Sequence, residues 1–253
     1  MEKVIPKIIH YCWFGANKLP ELAEACIASW KKYLPDYEIK EWNEKNFDIS
    51  ITPYVQEAYA AKKYAFVSDY ARFWILYHYG GLYFDTDVEI IRPLDHIIQR
   101  GPFMGIEGGS SIILSKEKCE KSIGVSPGLG IGAFPKMELY GEILNLYANL
   151  HFRKADGRLN IETVVSYTTK MLNRYQSIKN DSIQNIAGIW IYPEEYFSPI
   201  NIKDNQLRIT QNTVSIHHYA ASWTSPSHRL LRKIVLCIGG PKLKSFLSKY
   251  KGQ

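Results

Sequence analysis

Cysteine is scarce in this chain: four in 253 residues, at positions 12, 26, 119 and 237, with no CxxC pair and no Cys/His cluster. That spacing argues against a structural zinc site, and a reduced, cytoplasmic setting is expected. Long apolar runs are missing too, since no segment approaches the ~18 consecutive apolar residues of a membrane-spanning helix. The opening Met1-Glu2-Lys3-Val4-Ile5-Pro6 has neither the basic start nor the apolar stretch of a secretion signal. Charge of one sign is not concentrated: 31 basic against 25 acidic residues leave +6, too small and dispersed an excess for a nucleic-acid partner. It suits a small anionic substrate or an anionic membrane surface. Internal repeats and low-complexity blocks are also lacking.

What is abundant is apolar and aromatic. A hydrophobic share of 46% over this length can bury a full core, most simply of one domain. Aromatics make up 13%, eighteen of them tyrosine, and such side chains fill cores and line sugar or base sites alike.

The pattern predicts a strand over 7–14, a helix over 20–33 and a strand over 37–42. That order implies a parallel pair joined by a right-handed crossover. Thr52-Pro53 reads as an N-cap with proline at the first helical position. Ser68 is expected to cap a second helix over 69–79, stopped by Gly80-Gly81. Strands follow at 82–84 and 88–91. The glycine- and serine-rich stretch 101–132 is expected to form loops over a site, with extended pieces at 103–107 and 111–114. Helices are predicted over 139–150 and 161–175, and strands over 186–192 and 213–219.

Asp85-Thr86-Asp87 stands directly behind the apolar run Leu82-Tyr83-Phe84. Two carboxylates at i and i+2 on an extended backbone point the same way and can offer hard oxygens to one divalent cation. The strand delivers them to its carboxyl end, where open α/β sheets place ligands. Asp69 and Arg72, three apart on the preceding helix, can face the same cleft; a local helical ion pair is the plainer alternative.

The runs Ala65-Phe66-Val67-Ser68-Asp69-Tyr70-Ala71-Arg72-Phe73 and Tyr79-Gly80-Gly81-Leu82-Tyr83-Phe84-Asp85-Thr86-Asp87 resemble the sugar-binding DxD region of glycosyltransferase family 32. That family includes capsule and O-antigen transferases and is related to the catalytic domains of clostridial glucosylating toxins. The run from Ile5 to Gly15 resembles its opening strand, and Ile191-Tyr192-Pro193, Phe197-Ser198-Pro199 and His217 to Trp223 are similar to its later blocks. The resemblance implies a GT-A type α/β fold, with a mixed, largely parallel sheet flanked by helices.

It also implies a metal-dependent, retaining transfer of a hexose from a nucleoside diphosphate sugar to a glycan or lipid-linked acceptor. By the same resemblance Trp13 stacks on the nucleobase, although a place in the core beside Ile8, Ile9 and Phe14 is the alternative. Asp69 and Arg72 bind donor sugar and diphosphate, Tyr83 lines the pocket, and Asp85 contacts sugar or ribose and helps orient the metal. Asp87 ligates Mn²⁺ or Mg²⁺ directly, and Trp223 stands near the diphosphate. Adjacent histidines on a strand point to opposite faces, so one of the His217-His218 pair joins the metal, with His218 preferred and His217 the alternative. The donor base and sugar stay open, with a UDP-hexose favoured over GDP-mannose.

Three further segments are read more plainly. Gly128-Leu129-Gly130-Ile131-Gly132-Ala133 has the wrong spacing for a dinucleotide loop and is expected to be a flexible loop near the acceptor. Glu194-Glu195 is expected in a solvated turn. Residues 1–225 are read as the catalytic domain and 226–253 as a basic amphipathic tail. That tail could lie on the inner face of the cell membrane or pack as a terminal helix. A sugar-binding protein without turnover and a phosphohydrolase are the rival readings.

Overall fold

The computed structural model describes residues 4–108, 123–200 and 206–220. Trp223, the 111–114 piece and the basic tail lie outside them. The order is β1 (Ile8–Cys12), α1 (Glu21–Tyr33), β2 (Glu38–Trp42), α2 (Pro53–Ala60), α3 (Tyr64–Tyr79), β3 (Gly81–Tyr83) and β4 (Val88–Ile90). There follow α4 (Asp95–Ile98), β5 (Phe103–Ile106), β6 (Val125–Ser126), β7 (Ile131–Ala133), α5 (Glu138–Ala148) and α6 (Val164–Asn173). The order closes with β8 (Gln184–Ile186), β9 (Ile189–Tyr192), α7 (Glu194–Phe197) and β10 (Ser215–His217).

Eight strands form one sheet in the order β2-β1-β3-β7-β5-β9-β8, with β6 paired to β5. Strands β2, β1 and β3 are parallel, as the strand-helix-strand reading predicts. Strand β7 runs antiparallel between β3 and β5, β9 is parallel to β5, and β6 and β8 are antiparallel additions. This is the mixed, largely parallel α/β sheet expected from the sequence. A two-stranded ribbon pairs β10 with β4.

Apolar side chains fill both faces. Helices α2, α3, α5 and α6 cover one, where Tyr54, Phe73, Tyr140 and Tyr147 are fully buried. Helix α1 and the ribbon cover the other, where Trp30 packs on Phe84 and its indole N–H donates to the Val88 carbonyl at 2.7 Å.

Local chemistry explains the helix starts, including one that differs from expectation. Thr52 caps α2 as predicted, its hydroxyl accepting from the Val55 amide at 3.2 Å. Helix α3 begins at Tyr64 rather than after Ser68, and Lys63 precedes it without a side-chain cap. The Ser68 hydroxyl instead donates to the Tyr64 carbonyl one turn back at 3.2 Å, the bond of a serine inside a helix. Burial of Phe66 and Val67 carries the extra turn.

The glycine-rich stretch departs further from its reading. Residues 131–133 are a fully buried strand in the middle of the sheet rather than a flexible loop. Glu194 and Glu195 lie in the single turn of α7, where Glu195 accepts from Thr210 Oγ1 and Asn212 Nδ2. No helix among the described residues is long and apolar enough to cross a membrane.

Candidate functional site

Strands β1, β3 and β5 all end on one side of the sheet, and the residues just beyond them open into a cleft of about 640 Å³. Its walls include Trp13 after β1, Asp85 and Asp87 after β3, and Glu107 after β5. Carboxyl ends of parallel strands are where such sheets place ligands, and the volume falls in the range of small-molecule sites.

Helix α3 delivers Asp69 and Arg72 to the same cleft. Arg72 is 3% exposed, and its Nη2 lies 2.9 Å from Asp69 Oδ1 and 3.3 Å from Asp85 Oδ1. Its Nε donates to the Ser68 carbonyl, and the guanidinium stacks on the Tyr83 ring at 5.0 Å. One cation thus ties two carboxylates from different elements. Burial pushes the Asp69 carboxyl up to about 7 against the pull of Arg72. Burial also opposes the charge on Arg72, but Asp85, Tyr83 and Asp69 outweigh it and hold the guanidinium protonated.

The DxD triplet is a turn, not the extended pair expected: the Val88 amide donates to the Asp85 carbonyl at 3.1 Å. Its two carboxylates consequently have different partners. Asp85 faces Arg72 and accepts from the Tyr83 hydroxyl at 3.2 Å. Asp87 Oδ1 lies 3.1 Å from His217 Nε2, and Oδ2 accepts from the Ala220 amide at 2.8 Å. Burial works against the Asp87 anion, but His217 and that amide prevail and hold its carboxyl down at about 2. Asp87 in turn raises the imidazole of His217, overcoming its burial.

The histidines therefore exchange the places expected for them. Antiparallel pairing sets His217 opposite Val88 and turns it into the cleft. His218 points away, its Nε2 2.9 Å from Glu89. Tyr83 is also corrected: at 1% exposure it backs the wall under Arg72 and Asp85 rather than lining the pocket. Trp13 is half-buried and lines the cleft, its indole N–H held by the Asn17 carbonyl at 2.6 Å.

Gly128, expected from the sequence in a flexible loop near the acceptor, instead packs against Asp85. Its carbonyl accepts from the Asp85 amide at 3.2 Å, and a Cβ there would stand 2.2 Å from Asp85 Oδ2. Only a glycine lets the turn between β6 and β7 come this close to the carboxylate.

Hard carboxylate oxygens from Asp85 and Asp87 and an imidazole nitrogen from His217 share this cleft, a donor set suited in kind to Mn²⁺ or Mg²⁺. Four carboxyl groups among the described residues line the cleft, Asp69, Asp85, Asp87 and Glu107, beside Arg72, Lys18 and the imidazole of His217. Among the described residues, no three His, Cys, Asp or Glu side chains are already gathered around one point as a metal cage.

Residues 20–104 match the family model described as the glycosyltransferase sugar-binding region containing the DXD motif. The match bears out the resemblance carried by the Asp69, Arg72 and DxD runs; the Ile5 to Gly15 and His217 to Trp223 blocks fall outside it.

Over 115 residues the chain is 31% identical to inositol phosphoceramide mannosyltransferase 1 of Schizosaccharomyces pombe, covering 41% of this chain and 34% of that one. It is 36% identical over 98 residues to inositol phosphoceramide mannosyltransferase 3 of the same yeast, covering 37% and 27%. The chain thus spans about a third of the length of these relatives. Among solved structures it is similar to the PaToxG glycosyltransferase, with a TM-score of 0.48 and 17% identity over 68% of this chain and 70% of that one.

Proposed function

We propose that this chain is a GT-A type hexosyltransferase that moves a sugar from a nucleoside diphosphate donor to a hydroxyl of a glycan or lipid-linked acceptor. The observation that carries the reading is convergence: Trp13, Asp69, Arg72, Asp85, Asp87 and His217, from three separate stretches of chain, line one cleft. The sugar-binding region match supplies the reaction class.

In this reading Trp13 stacks on the base, and Asp69 and Asp85, held rigid by Arg72, accept hydrogen bonds from sugar hydroxyls. Fixing both carboxylates on one guanidinium positions the sugar without reorganisation as the bond breaks. Asp87 and His217, with Asp85 beside them, would hold a divalent cation, which when bound would offset the negative charge of a diphosphate. The names of the yeast relatives favour a mannosyl donor, which moves GDP-mannose ahead of the UDP-hexoses preferred from sequence.

The test is a thermal-shift panel of GDP-mannose and UDP-hexoses, each with and without Mn²⁺. The proposal expects one nucleotide sugar to raise the melting temperature only with the metal, and expects Asp87→Asn to abolish that rise. A panel without any metal-dependent shift would remove the donor assignment.

A further inference from the structure

The segment from Trp13 to Lys18 is a tight loop whose shape is imposed from outside it. Four of its residues, Trp13, Phe14, Asn17 and Lys18, line the cleft. At its apex Gly15 has φ +95° and Ala16 φ +54°, left-handed conformations that a non-glycine residue adopts at a cost. Gly15 also lies under the Tyr64 ring so closely that a Cβ would stand 2.4 Å from Cε2. Something must hold this loop in place. The Gly15 amide donates to Glu44 Oε1 at 2.6 Å, and the same oxygen accepts from the Tyr59 hydroxyl at 3.0 Å. Tyr59 in turn packs on Tyr64, the rings 5.4 Å apart. At the loop's other end Trp13 is fixed to the neighbouring strand through its amide, which donates to the Trp42 carbonyl at 2.9 Å.

Resting on the donor reading above, we infer that Glu44 is a positioning residue for the nucleotide half of the site: its carboxylate pins the Gly15 turn so that Trp13 presents its ring to the base. Glu44 is not among the residues lining the cleft and acts through the loop. An ionised carboxylate accepting a backbone N–H is a strong tie, and it anchors the loop to α2 through Tyr59. Releasing it lets the strained apex relax, and the ordering of Trp13 is then charged to binding. The consequence falls on donor affinity and not on turnover, because Trp13 stands at the base end and Arg72, Asp85 and Asp87 do not touch the tie.

The experiment titrates UDP and GDP, with Mn²⁺, into the full chain by calorimetry and pairs this with donor KM and kcat. Glu44→Ala is expected to weaken nucleoside diphosphate binding and raise donor KM by about tenfold, with kcat at saturating donor within about twofold. Glu44→Gln keeps an acceptor oxygen for the Gly15 amide and is expected to stay within about threefold of the parent. Tyr59→Phe, which keeps the ring and removes one bond to Glu44, gives a second, milder variant with a smaller loss in the same direction. Parent-like affinity in folded Glu44→Ala, or Glu44→Gln no better than Glu44→Ala, would overturn the role. A parent chain that binds neither nucleotide overturns the donor reading itself and the role with it.

Discussion

Asp87 has two anchors, the His217 imidazole and the Ala220 amide, and both favour its ionised form. Replacing it with Asn removes the charge that a cation needs while leaving an oxygen for the amide. Asp87→Asn is expected to lower metal-dependent transfer by about a hundredfold or more while circular dichroism stays unchanged. Arg72 behaves differently because it is structural as well as chemical. Removing it leaves Asp69 buried without its counter-charge, so Arg72→Ala is expected to cost about 3 to 5 kcal/mol of stability, measured by urea unfolding. Asp69→Asn combined with Arg72→Met should recover much of that loss, because no unpaired charge is then left inside. Equal losses in the single and double variants would contradict the ion-pair account.

At the scale of elements, strand β1 carries a buried histidine whose protonation is set by its neighbours. The Trp42 indole can only donate, and it points at His10 Nδ1 at 3.1 Å, so the proton sits on Nε2, which donates to the Gly80 carbonyl at 3.1 Å. Burial, with Lys40 adding to it and the Gly80 bond opposing, lowers the His10 value to about 4. The unfolded chain takes up a proton near the ordinary value of 6.5 while the folded chain refuses it. Stability is therefore fully present above that value and lost as pH falls toward 4, by about 3 kcal/mol. Unfolding followed between pH 7 and 4 checks this, and His10→Gln should flatten that part of the profile.

The turn from β3 and the nearby strap of Gly128 make a second prediction. Gly128→Ala forces the Asp85 carboxylate off Arg72, so donor use is expected to fall at least tenfold while the melting temperature moves only a few degrees. Intact kinetics in that variant would show that Asp85 can turn aside without consequence.

These elements also show what could be read from sequence. Asp69, Arg72 and the DxD triplet were legible because they fall within one helix, turn and strand, where spacing alone brings them together. His217 was not, since the choice between two adjacent histidines depends on pairing with β4, a partner over a hundred residues away. Strand β7 and Gly128 were hidden for another reason: glycines erase the alternation by which a strand is recognised, and their purpose is the close approach itself. The start of α3 was misplaced because serine is a good cap in general, and only burial of Phe66 and Val67 reveals the extra turn.

At the scale of the whole molecule, two apolar clusters clamp the sheet from both faces and leave the carboxyl ends of β1, β3 and β5 as its open edge. Helix α3 and the turn after β3 hold Arg72, Asp85 and Asp87, while Trp13 stands on a loop tied through Glu44. In the proposed function, chemistry at the first and recognition at the second are separable, which is why variants at the two ends are expected to differ in kcat and KM. The central claim is that this edge transfers a sugar with the help of a divalent cation held at Asp87 and His217. Release of nucleoside diphosphate from GDP-mannose, measured with and without Mn²⁺ for the parent chain, Asp87→Asn and His217→Ala, tests it most directly. The account predicts release by the parent only with the metal and about a hundredfold less from either variant; release that ignores the metal, or survives in both variants, would contradict it.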